Sequence, residues 1–234
     1  MGTGVSLDIP GAEEAVFNKV FARLEQIDNR FSTYKSSSEV SRYVRGEIAE
    51  GKLSHELKQI IKACKNAEKA TDGTFSAWAS GSFDPSGYVK GWAIAQVSKI
   101  IKRAGYGTFC VGIGGDILAA SDSDKTWRIG IQDPQHPQQI LTTISAKNVA
   151  VATSGTNERG LHIINPKTTE AANSILSITV VGPDIIDADV LATAAFVQGE
   201  FGLNFIGGQA NGYEAMMVSK NGKASMTDGL GAYL

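Results

Sequence analysis

Residues 109–120 read F-C-V-G-I-G-G-D-I-L-A-A, and the fold turns on what Gly114 and Gly115 do there. A glycine-rich loop leading from an apolar strand into a helix would announce a dinucleotide-binding parallel sheet. That fingerprint needs G-x-G-x-x-G with a helix opening behind it. Here the third glycine is missing, and Ile117, Leu118 and Ala119 continue as a returning strand. Gly114-Gly115 therefore reads as the two-residue turn of a β-hairpin, a place where both central residues take positive φ. The expectation is an antiparallel sheet.

Working outward, residues 127–132, 140–145, 149–153 and 175–181 repeat the strand pattern, with Asp133-Pro134 and Gly182-Pro183 as breaks. Residues 213–219 and 223–226, joined through Asn221-Gly222, read as a closing hairpin. Upstream, residues 5–9 alternate like a strand that Pro10-Gly11 ends. Residues 12–31 then place Phe17, Val20, Phe21, Leu24, Ile27 and Phe31 on one helical face. Ser36 and Glu39 match a capping box, so a short helix is expected to start there. Residues 54–70 form a second amphipathic helix, and a third follows F-D-P-S-G-Y-V-K-G-W-A-I with Val89, Ala93, Val97 and Ile101 inward. The fold class is α+β, antiparallel sheets packed with helices. With no linker in view, residues 1–234 are expected to form a single domain.

Composition narrows the function classes. Hydrophobic content of 42%, charged content of 20% and a net charge of -2 describe an ordinary globular chain without the basic footprint that nucleic acid requires. Cys64 and Cys110 fall inside a helical and a strand-like pattern, as buried free thiols do. His55, His136 and His162 lack any zinc spacing. No basic segment followed by an apolar one opens the chain, so neither a signal peptide nor a membrane span is expected. Cytoplasmic placement follows, or extracytoplasmic if a leader or lipoprotein segment has been trimmed.

Chemistry concentrates in residues 187–196, D-A-D-V-L-A-T-A-A-F, which carry a helical apolar stripe. Asp189 and Thr193 stand four residues apart, a carboxylate and a hydroxyl on one helix face. Two hard oxygens so placed suit magnesium, which keeps waters and phosphate oxygens for its remaining positions. The same pattern also fits a helix cap, with Thr193 bonding back to a carbonyl. Lys90 in the first turn of its helix, between Gly87 and Gly91, suggests an anion or phosphate site. Ser154 is not in a G-x-S-x-G elbow, so a hydrolase triad with His162 is not expected.

Seven short motifs occur in one order: M-G-T (1–3), S-T-Y with S-E-V-S-R (32–42), D-P-S-G-Y-V-K-G (84–91), G-G-D (114–116), A-T-S-G (152–155), H-I-I-N-P (162–166) and A-D-V-L-A-T (188–193). Together they resemble the ApbE-type family of FAD:protein FMN transferases, nearly end to end. The resemblance implies a T-fold-like arrangement and a magnesium-dependent transfer of FMN from FAD to a threonine hydroxyl of a target protein, releasing AMP. It implies Asp189, Thr193 and the carbonyl of Gly87 as metal ligands. Flavin-dinucleotide contacts are implied at Met1, Tyr34, Phe75, Asp84, Lys90, Thr153, Ser154, Gly155, Ile163 and Ala192. His162 is implied beside the reacting phosphate, with Asp116 as the other candidate for handling the proton. The chain departs from the family pattern at Val44, where Asn is usual, at Asn165, where Asp is usual, and at Lys167, Thr168 and Thr169, where R-T-G is usual. Two other readings use the same site: an FAD carrier without transfer, and a metal-dependent FAD hydrolase giving FMN and AMP.

Overall fold

In the computed structural model, which describes residues 2–156, 162–208 and 212–234, a seven-stranded sheet separates two apolar layers. Its strands are β1 (Val5–Asp8), β2 (Phe109–Ile113), β3 (Asp116–Ala120), β6 (Val149–Gly155), β7 (Ile175–Gly182), β8 (Glu214–Ser219) and β9 (Ala224–Met226), in that spatial order and antiparallel throughout. Between β3 and β6 the chain leaves the sheet to form a two-stranded ladder, β4 (Trp127–Gln132) with β5 (Ile140–Ala146). The helices are α1 (Glu14–Phe31), α2 (Glu39–Val44), α3 (His55–Ala70), α4 (Ser86–Arg103), α5 (Ile185–Gln198) and α6 (Gly202–Gly208). Gly114 and Gly115 have φ of 55° and 85° and join Ile113 to its partner Asp116, the expected hairpin.

Alternation along each strand feeds both layers. On β6, Ala150 and Ala152 face the helices, while Val149 and Val151 face the β4–β5 ladder. Covered on both sides, β6 and β7 are buried along nearly their whole length. The helical layer sets α5 against β6 and β7, lays α4 on α5, and packs α1 on α4. On the far face Trp127, Ile129, Ile131 and Ile144 of the ladder join Leu230 of the C-terminal 3-10 segment Asp228–Tyr233.

Helix α5 comes straight off β7. Asp184 caps it, its Oδ1 accepting the N–H groups of Ile186 and Asp187 at 2.8 and 3.2 Å. The cap is thus three residues ahead of Asp187, whose carboxylate instead accepts the Tyr213 hydroxyl at 3.2 Å. A similar shift occurs at α2. Ser38, not Ser36, is the cap, accepting from the Ser41 N–H at 3.1 Å. Glu39 reaches across to the N–H and hydroxyl of Ser54, at 2.6 and 2.7 Å, so the short-range box gives way to a tie between α2 and α3. The closing hairpin turns through residues 220–222, as expected, with Gly222 at positive φ, 82°.

Gly91 lets α4 and α5 touch backbone to backbone. A Cβ there would lie 2.7 Å from the Ile185 carbonyl oxygen and 3.1 Å from Asp189 Cβ. Ile185–Gly208 is apolar and long enough by composition to cross a membrane, at a mean hydropathy of 1.2. In this fold it breaks at Gly199, and Ala188, Ala195 and Phe196 are buried in the core.

Candidate active site

The contact between α4 and α5 sets Lys90 among three elements. Its ammonium donates to Asp116 Oδ2 at the start of β3 and stands 3.4 Å from Asp189 Oδ1 on α5. The second oxygen of Asp189 accepts the Gly91 N–H at 2.9 Å, and the second oxygen of Asp116 accepts the Thr153 N–H of β6 at 3.2 Å. Both carboxylates are out of water, with side-chain exposures of 0% for Asp116 and 2% for Asp189. Burial pushes the Asp189 carboxyl up to about 7; Lys90 opposes that rise and Asp116 adds to it.

One turn along α5 from Asp189, Thr193 approaches two partners. Ser154 Oγ of β6 is 3.4 Å from its hydroxyl. On the other side is Gly87, where a Cβ would sit 3.5 Å from Thr193 Oγ1 and 3.3 Å from the Phe75 ring. Gly87, Phe75, Thr193 and Asp189 all line a pocket of about 330 Å³, together with Asp84, Lys90, Thr153, Ser154, Gly155, His162 and Ile163. Its size lies in the range of small-molecule sites, at the lower end of roughly 300–1,000 Å³. Asp84 is fixed by the Ser86 N–H at 2.9 Å and hydroxyl at 2.5 Å. His162 is exposed at the mouth.

The remaining candidates lie elsewhere. Asp116 is behind the wall, in contact with Lys90 and Thr153 and not with the pocket. Ala192 is buried in the core at 1% exposure. Tyr34, 71% exposed, shares a small recess with Ser86 and Lys90 on the other side of the lysine. Met1 lies outside the described residues.

The donor set matches a hard cation. Asp189 brings a carboxylate, Thr193 a hydroxyl, and Gly87 a backbone with no side chain over it. Among the described residues no three His, Cys, Asp or Glu side chains gather, so a zinc-type cage is not offered. Among the described residues, the Asp116 and Asp189 carboxylates both stand around the Lys90 ammonium.

A family model described as the ApbE family matches residues 1–81 and 79–217. The chain belongs to the ApbE family. The FAD:protein FMN transferase of Vibrio cholerae is 34% identical over 129 residues, covering 50% of this chain and 39% of that protein. The Haemophilus influenzae protein of the same name is 32% identical over 148 residues, covering 58% of this chain and 42% of that one. The aligned stretches thus span less than half the length of the curated relatives. Among solved structures, flavin transferase ApbE from Vibrio cholerae superposes with a TM-score of 0.82 at 22% identity, covering 100% of this chain and 96% of that one. The ApbE protein of Thermotoga maritima gives 0.85 at 21% identity, covering 99% and 96%. These likenesses establish a shared fold.

Placed in the ApbE fold, this chain shows a pocket wall that sequence reasoning missed. Ile129, Gly130, Ile131, Gln132 and Pro134 of the β4–β5 ladder close the side opposite α5. A glycine inside a strand was the available signal, since a Cβ at Gly130 would meet the Ile140 side chain at 2.8 Å. The departures from the ApbE pattern also have places. Val44 ends α2, exposed and away from the pocket. Asn165 Oδ1 accepts the Lys167 N–H at 2.9 Å, an Asx turn, and Thr169 sits at φ 59° where the usual motif has its glycine.

Proposed function

We propose that this chain is a magnesium-dependent flavin transferase that moves FMN from FAD onto a threonine hydroxyl of a target protein and releases AMP. What supports the reading is one convergence: Gly87 and Lys90 of α4 meet Asp189 and Thr193 of α5 on a single wall of the pocket. The names of the curated relatives point the same way.

Each residue then has a task. Phe75 and Ile163 offer apolar surface to the flavin ring, and the β6 end at Thr153, Ser154 and Gly155 offers backbone and hydroxyl groups to the phosphates. Lys90, whose ammonium is held by Asp116, would lend positive charge beside the pyrophosphate. Asp189, Thr193 and the Gly87 carbonyl would hold magnesium, which supplies neutralisation of the pyrophosphate. The acceptor threonine oxygen forms a bond to the FMN-side phosphorus, and the bond from that phosphorus to the bridging oxygen breaks. AMP departs with the electron pair, and the threonine proton passes to the imidazole of His162. Positioning and electrostatics carry most of the work, as in other phosphoryl transfers. Asp116 accepts from Lys90 and does not line the pocket, so His162 is the residue we assign to the proton.

Incubation with FAD, magnesium and a threonine-bearing partner, followed by intact-mass measurement, tests this. The partner is expected to gain the mass of FMN. Free FMN beside unmodified partner would make the chain a hydrolase, and unchanged FAD would make it a carrier. Asp189→Ala is expected to abolish transfer without loss of the fold, and near-normal transfer by that variant removes the metal assignment.

A further inference from the structure

We propose that Asp116 is a positioning residue that holds Lys90 back from a closer contact with Asp189 and so keeps Asp189 Oδ1 available to a divalent cation. This rests on reading Asp189 as a metal ligand. Asp189 Oδ2 is already taken by the Gly91 N–H, so Oδ1 is the oxygen left to face the pocket. Lys90 Nζ forms a long ion pair with that oxygen at 3.4 Å, while it donates directly to Asp116 Oδ2. The ammonium leans toward Asp189 but is held by Asp116.

Asp116 is built to hold. It is fully buried, it directly follows the Gly114-Gly115 turn, and the Thr153 N–H fixes its other oxygen at 3.2 Å. A carboxylate pinned at both oxygens cannot follow the lysine if the lysine moves. Remove its charge and, among the described residues, the carboxylate beside Lys90 on this wall is Asp189, whose Oδ1 carries the lone pairs a cation needs. Lysine and metal would then compete for one oxygen. Asp116 thereby acts on metal affinity through Lys90, touching neither metal nor flavin.

Manganese, a hard octahedral ion suited to the same oxygen donors, reports the effect by electron paramagnetic resonance titration with flavin absent. Asp116→Asn is the informative change, because it keeps an Oδ1 acceptor for the Thr153 N–H and turns a neutral amide NH2 toward Lys90. It is expected to weaken Mn²⁺ binding about tenfold or more in the presence of Lys90, and about threefold or less when combined with Lys90→Met. A charge acting only through its own field costs the same in both backgrounds, and equal losses overturn the proposal. Asp116→Ser, measured in the same two backgrounds, gives the same contrast if the Asn variant does not fold. Asp189→Ala separates the two levels. If that variant binds Mn²⁺ like the wild type, the metal reading falls and this inference with it. If it loses Mn²⁺ while the two backgrounds show equal losses, the inference alone falls.

Discussion

At Gly91 and Thr169 the chain places unusual residues for opposite reasons. Gly91 is glycine because α4 and α5 meet there, a Cβ falling 2.7 Å from the Ile185 carbonyl oxygen. Gly91→Ala is expected to destabilise the protein by about 1–3 kcal/mol, the usual penalty for overpacking, as measured by urea unfolding. It should also loosen the N–H bond that orients Asp189. Thr169 is a β-branched residue at φ 59°, a conformation in which its side chain is strained. Thr169→Gly is expected to raise stability by about 1 kcal/mol in the same measurement, since relieved strain exceeds the added chain entropy. Neither role was legible locally. Gly91 looked like part of a phosphate-binding helix start, and Thr169 was only a departure from a motif.

The β4–β5 ladder is the element on which ligand binding and stability are expected to couple. It belongs to no larger sheet, and its apolar side faces the main sheet through Ile129, Ile131 and Ile144. Since Ile129 and Ile131 also line the pocket, loosening the ladder moves a wall. Ile144→Ala, at a fully buried position, is expected to cost about 2–5 kcal/mol and to weaken FAD binding, followed by flavin fluorescence titration. Leu57→Ala on α3 is equally buried but away from the pocket, and it should cost similar stability with FAD affinity unchanged. The strand pattern of residues 127–132 and 140–145 foretold the two strands of this ladder, though not that they pair apart from the main sheet. Its position over the pocket was not foretold, because alternation says which side chains share a face but not what that face meets.

Across the whole molecule, the two cysteines report on different layers. Burial pushes the Cys64 thiol up to about 12 and the Cys110 thiol up to about 11, with Asp84 and Asp8 respectively adding to the rise. A raised thiol pKa means less thiolate at a given pH, so at pH 8 only about one Cys64 in ten thousand is reactive. Thiol titration with a chromogenic disulfide at pH 8 is expected to find both nearly silent in the folded protein, with Cys110 the faster, and both labelled after unfolding. Rapid labelling of Cys64 under native conditions would mean that the helical layer opens on its own. Apolar period and turn chemistry were enough, from sequence, to specify the antiparallel sheet, the helices and the Gly114-Gly115 hairpin, because those signals act between neighbours in the chain. The order of motifs also carried the family. Tertiary structure alone decided where each carboxylate sits. Asp116 and Asp189 are the same residue type beside the same lysine, yet one is sealed behind the wall and the other faces the pocket. Burial and pairing set that difference, and both depend on how α4, α5, β3 and β6 pack across roughly a hundred residues of chain.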